Sequence, residues 1–241
     1  MANLLVEIGN TALKAAWSEE TILGKTFRYQ GERRMKFILS LTEREKPEVM
    51  VIATAGIVSD EEQEILEKEC RHLIILDGNH REMLTSRGLP EYLSYDRASS
   101  IVAASFLFKG KSCSIFDFGT TLTLDCVAQD GSYVCGFISP GCRTRFKSLE
   151  RYTRTLPMVN MPSAGSFAEG LEGSIQAGVV SGIKFEIDGH MSSRSGDVFV
   201  FTGGDAAYFV KMVDRPVFLV SDLVLMGLAI ITDEYVKEII S

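Results

Sequence analysis

Histidine, paired cysteine and basic runs are what this 241-residue chain has least of. Its three histidines, His72, His80 and His190, are scattered, which leaves a histidine-based metal site or catalytic triad without support. Five cysteines, Cys70, Cys113, Cys126, Cys135 and Cys142, form no CxxC pair. That spacing argues against structural zinc, and the odd count reads most simply as reduced thiols in a cytoplasmic protein. A formal charge of -7 without a basic cluster argues against nucleic acid as a partner, because such binding draws on phosphate contacts. A small anion held by local amides and a bound cation stays compatible with that charge. Apolar runs of about 18 residues or more, the mark of a membrane helix, are also missing. The nearest, PVFLVSDLVLMGLAII, is broken by Ser221 and Asp222 and reads as a strand end, a turn and a buried helix. Glu7 interrupts the first apolar run and no basic segment precedes it, so neither a secretory signal nor a membrane partner is expected.

What is present is an ordinary globular composition, 46% apolar and 24% charged, with enough length for one large or two small domains. The pattern predicts a strand over 3–9 with a hairpin partner over 11–17. A helix follows in ERRMKFILSLTERE, then a strand in EVMVIATAG, an acidic helix capped by Ser59 or Asp60, and a strand in LIILD. DRASSIVAASFLF is a helix capped by Ser94 or Asp96. After Lys109-Gly110-Lys111, the expected boundary, strands begin again: CSIFDFG, then two alternating runs about Asp130-Gly131, a hairpin signal. Helices are expected in RFKSLERYTRTL, in the glycine-laced FAEGLEGSIQAGVVSGIKFEI and in the tail. DVFVFTGGDAAYFVKMV reads as strand, glycine turn and helix.

Two stretches repeat. LLVEIGNTALKAAW (4–17) matches SIFDFGTTLTLDCV (114–127), with Glu7 on Asp117, Gly9 on Gly119 and Thr11 on Thr121. Each begins a strand meander, which predicts a duplicated α/β domain. Glycine at such a turn lets backbone approach a ligand closely, and the N–H groups and threonine hydroxyls can donate to phosphate oxygens. The carboxylate is useful if a hard cation lies between it and phosphate. Either turn alone reads more readily as an ordinary hairpin with an acid near its mouth; together with FTGGDA they favour a nucleotide site. Gly203 and Gly204, in FTGGDA after a buried strand, add a third place suited to nucleotide approach.

These residues resemble the type III pantothenate kinase family of the actin-like ATPase superfamily. The resemblance rests on EIGNT, PEYLSYDR, DFGTTLTLD, DGSYVCGFISPG, GSIQAGVVSG, TGG and LVLMGL, in the family's order over nearly the whole chain. It implies an α/β fold of two duplicated actin-like ATPase (ribonuclease H-like) domains, 1–110 and 111–241, with a nucleotide cleft between them. It implies ATP-dependent phosphorylation of the primary hydroxyl of pantothenate, the first step of coenzyme A biosynthesis. The enzyme would be a cytoplasmic homodimer using ATP, Mg²⁺ and a monovalent cation, K⁺ or NH₄⁺. By the same resemblance Glu7, Ile8, Gly9, Asn10, Thr11, Ala12, Leu13 and Lys14 hold ATP phosphates, and Thr120 contacts ATP. Asp96 is the general base, Asp117 binds the monovalent cation, and Arg97 holds the substrate with Ser94, Tyr95 and Gly141 beside it. Read without the resemblance, Asp96 is more readily a helix cap and Arg97 a surface charge.

The chain also departs from the family pattern. Glu7 replaces an aspartate, which shifts the carboxylate by about a bond length, and a misplacement of ~1 Å can cost ~10²-fold in rate. A Mg²⁺ reached from Glu7 through water would absorb part of that. On the substrate side, Ser86-Arg87 replaces Pro-Tyr, Ser94 replaces a glycine, Leu171 stands at a threonine position and Cys135-Gly136 replaces a glycine pair. Arg87 brings a charge suited to a carboxylate, and pantothenate carries one. Two other readings stay open: a catalytically weak or inactive nucleotide-binding paralogue with a regulatory role, and a kinase of another small hydroxy acid.

Overall fold

The structure, a computed structural model, describes residues 2–240. The chain divides into two compact units, one holding the residues up to Leu107 together with those from Asp222 on, the other Phe108–Ser221. The halves expected from the sequence, 1–110 and 111–241, differ from this division in where the closing helix belongs.

The first unit opens with an antiparallel meander, β1 (Asn3–Ile8), β2 (Leu13–Glu19) and β3 (Ile22–Tyr29). Helix α1 (Arg34–Thr42) leads to β4 (Val49–Thr54), and α2 (Asp60–Glu67) to β5 (His72–Leu76), both strands parallel to β1. The sheet order is β3-β2-β1-β4-β5. Helices α3 (Glu82–Ser86) and α4 (Tyr95–Leu107) complete the segment. Central strands β1 and β4 read as unbroken apolar runs because both of their faces are covered. Leu4, Val6, Met50 and Ile52 pack with Ile38 of α1 and Leu66 of α2. Leu5 and Val51, pointing the other way, are just as buried. Strand β3 is not marked by the sequence pattern. It is an edge strand with an exposed Ile22 and mostly solvated side chains, including Lys25, so no apolar alternation announces it. At α2 the choice of cap resolves to Ser59, which accepts from the Glu62 N–H while Glu62 accepts from the Ser59 N–H.

The second unit repeats the topology. Strands β6 (Cys113–Phe118), β7 (Thr121–Val127) and β8 (Tyr133–Pro140) form the meander, with Gly131 at a φ of 84° in the hairpin turn. Helices α5 (Cys142–Tyr152) and α6 (Gly170–Ser193) lead to β9 (Val198–Thr202), and α7 (Ala206–Phe209) to the short β10 (Phe218–Leu219). Read outward, the order β8-β7-β6-β9-β10 matches the first sheet strand for strand. The duplicated α/β architecture expected from the sequence is therefore present. One face of this sheet buries Phe116, Phe118, Phe199 and Phe201 against α5, α6 and Phe209.

Helix α8 (Leu223–Tyr235), continued by a π-helical turn to Ile240, packs along α4 and over the first sheet. It is apolar on nearly every side, as a helix covered all round must be. The contact with α4 is close because the facing residues are small. A Cβ on Gly227 would lie 1.9 Å from the Ser99 carbonyl oxygen, and Ala98, Ser99, Ala103 and Ala104 of α4 are fully buried. No helix among the described residues is long and apolar enough to cross a membrane.

Gly227→Ala is therefore expected to destabilise the protein by about 1–3 kcal/mol, the usual range for overpacking a tight core. Urea unfolding would show this as a lower midpoint. An unchanged midpoint would mean that α4 and α8 separate freely.

Candidate functional site

In the first unit, the turn between β1 and β2 carries the opening motif. Glu7 lies opposite Lys14 and Ile8 opposite Leu13, and the Gly9 N–H donates to the Ala12 carbonyl at 3.0 Å to close the turn. A Cβ on Gly9 would sit 3.0 Å from that carbonyl oxygen and 3.6 Å from Glu7 Oε1. Asn10 and Thr11 at the tip are exposed, Ala12 and Lys14 half-buried, and Leu13 is core.

The second unit builds the same device from β6 and β7. The Gly119 N–H donates to the Thr121 carbonyl at 3.0 Å, and a Cβ on Gly119 would lie 3.7 Å from Asp117 Oδ1. An acid two residues before a turn-closing glycine, with its carboxylate against that glycine, is thus common to both units. The loops differ by one residue. Four residues separate the register partners Ile8 and Leu13, and three separate Phe118 and Leu122. Thr11 therefore sits inside its loop, whereas Thr121 already begins β7.

Around Asp117 the structure gathers pieces that are far apart in sequence. Thr202 is its register partner on β9. Gly203 follows with φ 94°, and a Cβ there would strike Asp117 Oδ1 at 2.3 Å and the Phe118 backbone at 2.6–2.7 Å. From the other side Gly141 donates to the Thr120 carbonyl at 3.0 Å, and the Thr144 hydroxyl donates to the same oxygen at 2.6 Å. Asp117, Gly119, Thr120, Gly141, Gly203 and Gly204 thus form one locale. The helix after Gly204 is a single α turn, too short for a useful helix dipole. Close backbone approach is what the two glycines offer. Thr144 and Asp205 were not legible as part of this locale. Burial raises the Asp205 carboxyl above its ordinary value, and the Arg143 guanidinium partly offsets that. Their only signal in the sequence is adjacency to SPG and TGG.

Substrate candidates in the first unit cluster at the start of α4. The Ala98 N–H donates to the Ser94 carbonyl at 3.0 Å, which makes Ser94 the residue that opens the helix and places Asp96 inside its first turn. Asp96 is therefore not the cap, and its Oδ1 is buried without a hydrogen-bond partner. Arg97 is buried. Tyr95 is core: its hydroxyl donates to the His80 carbonyl, Arg81 lies over its ring, and burial pushes its pKa up to about 12. Arg87 pairs with Glu234 of α8, and burial lowers its pKa from the ordinary value. Leu171, exposed at the second residue of α6, lies in the other unit.

The donor chemistry fits a nucleoside triphosphate with a hard cation: glycine turns with one carboxylate beside each, and at Gly9 and Gly203 no room for a Cβ without a shift. Among the described residues no three His, Cys, Asp or Glu side chains gather into a metal cage. Magnesium needs none, since it takes one or two carboxylates and completes its shell from phosphate and water.

Comparison with known proteins is consistent with this geometry. Residues 3–193 match the family model described as type III pantothenate kinase. A type III pantothenate kinase of Phocaeicola vulgatus is 32% identical over 94% of this chain and 96% of its own. Among solved structures, a Baf family protein of Campylobacter jejuni superposes with a TM-score of 0.61 at 20% identity, covering 97% of this chain and 99% of that one. An activator of 2-hydroxyisocaproyl-CoA dehydratase from Clostridium difficile, with bound ADPNP, gives 0.60 at 13% identity, covering 99% and 96%. The two sheets and these neighbours establish the actin-like ATPase fold.

Gly203→Ala is expected to lower the unfolding free energy by roughly 2–4 kcal/mol, combining a left-handed φ penalty with overpacking. Gly204→Ala, whose Cβ would meet nothing within 4 Å, should cost under about 1 kcal/mol. Equal losses in chemical denaturation would contradict the close approach at Gly203.

Proposed function

Since the chain belongs to the type III pantothenate kinase family, we propose that it catalyses ATP-dependent phosphorylation of the primary hydroxyl of pantothenate, the first step of coenzyme A biosynthesis. The observation that carries the reading is Asp96, a carboxylate with a buried oxygen that no protein group satisfies, at the head of α4. A buried acceptor without a partner is costly unless a ligand supplies the donor. The hydroxyl of the acceptor substrate is such a donor.

ATP supplies the transferable phosphoryl group, and a divalent cation neutralises charge on its oxygens. The protein's part is positioning and charge placement, as phosphoryl transfer requires. Asp96 accepts a hydrogen bond from the attacking hydroxyl, orients it, and takes its proton late in transfer. The turn from Glu7 to Lys14 offers amides, hydroxyls and an ammonium to phosphate oxygens, and Glu7 would serve Mg²⁺, which would neutralise phosphate charge. Thr120, Gly203 and Gly204 let the nucleotide approach the second turn, where Asp117 would hold K⁺ or NH₄⁺. Arg97 holds the pantothenate carboxylate side, with Ser94 at the same end of α4, and Gly141 is assigned to the substrate within the second unit. Arg87, engaged by Glu234, serves the substrate through the placement of that pair. We place the enzyme in the cytoplasm as a homodimer; the exposed Val134 and Ile138 on edge strand β8 support a partner there.

An ATP-coupled assay with pantothenate, Mg²⁺ and K⁺ tests this. Asp96→Asn should lower kcat by about 10²–10⁴-fold, the range for general acid–base catalysis, with the KM for ATP little changed. Glu7→Asp should raise kcat by up to ~10²-fold, because it restores the shorter reach. Turnover indifferent to both substitutions would reject the kinase reading.

A further inference from the structure

Two of the five cysteines stand side by side in the second unit. Cys126 on β7 and Cys135 on β8 are register partners across an antiparallel pair. Directly opposed residues there have Cα atoms about 4.5–5.5 Å apart, inside the ~4.4–6.8 Å that a disulfide spans. Opposed residues share a sheet face, and these two lie on the face that packs against α6. Immediately after Cys126 the register shifts, and such an irregularity loosens the ladder and increases local twist at the pair. All five cysteines are free thiols.

The two sulfurs have unlike surroundings. Cys126 is buried, with Sγ 3.7 Å from Ser114 Oγ, and burial pushes its thiol up to about 12. The Ser114 hydroxyl donates to Asp197 Oδ2 at 2.6 Å. Cys135 is half-buried, and Arg194 Nη2, at the carboxyl end of α6, donates to its Sγ at 2.8 Å. Of the two sulfurs, that of the half-buried Cys135 is the one a small molecule reaches first, since Cys126 is buried.

We propose that Cys135 and Cys126 are a redox pair that forms a reversible cross-strand disulfide by exchange with a low-molecular-weight disulfide, Cys135 attacking first and Cys126 resolving. In the first step the Cys135 thiolate attacks one sulfur of the small disulfide. The S–S bond of that molecule breaks, and its other half leaves as a thiolate that takes up the proton Cys135 released. In the second step Cys126 gives up its proton and attacks the Cys135 sulfur, displacing the remaining half as a second thiol. Two protein thiols are oxidised, and one disulfide is reduced to two thiols. Because Cys126 ionises with difficulty, the second step is the slower one. The pair lies wholly in the second unit, so it does not rest on the kinase reading.

The test incubates the full-length protein with glutathione disulfide, quenches with an alkylating agent, and reads intact mass and peptide maps. The expected result is loss of two of the five thiols, a cross-linked peptide joining Cys126 to Cys135, and recovery with dithiothreitol. Cys126→Ser should trap a glutathione adduct on Cys135, and Cys135→Ser should give no adduct on Cys126. Five thiols retained by the wild type, or a cross-link mapping elsewhere, would overturn the proposal. An unmodified Cys135 in Cys126→Ser would overturn the order of attack.

Discussion

No side chain fits at Gly203, because the Asp117 carboxylate and the Phe118 backbone already fill the space a Cβ would take. The packing around the β6–β7 turn depends on that closeness. It sets the carboxylate beside the turn, while a Cβ on Gly204 would meet nothing within 4 Å. The same logic recurs at Gly9, where a carbonyl and the Glu7 carboxylate crowd the missing side chain. Each turn thereby presents backbone donors and one negative charge together, a combination suited to phosphate bridged by a cation.

The duplication explains why both units have this device, and the differences explain why they are not equivalent. Five strands in one order, with the acid on the first strand and the glycine just beyond, repeat in each. The first loop is longer by one residue and its acid is longer by one methylene. Asp117 lies beside both Gly119 and Gly203, whereas Glu7 lies beside Gly9.

Helices α4 and α8 link this arrangement to stability. The orphaned oxygen of Asp96 sits on a helix that is otherwise locked by small buried residues against α8. A buried unsatisfied carboxylate weakens the fold locally. Tight packing along the rest of α4 offsets that loss and keeps the carboxylate ready for a donor. Tyr95 and Arg97, flanking Asp96, are buried as well, so the first turn of α4 has little freedom to turn Asp96 away.

Much of this was legible in the chain itself. Unbroken apolar runs marked the central strands, Asp130-Gly131 marked a hairpin, and the Ser59–Glu62 spacing marked a capped helix, because each signal is local and follows from backbone geometry. The repeat of acid, glycine and threonine marked both turns for the same reason. Edge strand β3 escaped, since an edge exposed to water needs no apolar alternation. Other features were decided only by tertiary structure. The return of α8 to the first unit, the closure of Gly203 and Gly141 around the Asp117 turn, and the pairing of Arg87 with Glu234 all join residues far apart in sequence. The burial of Asp96 Oδ1 without a partner was likewise visible only in the folded chain. Sequence determined which residues could bury, turn or ionise. Which of them met was set by close packing, where shape and not composition selects the neighbour.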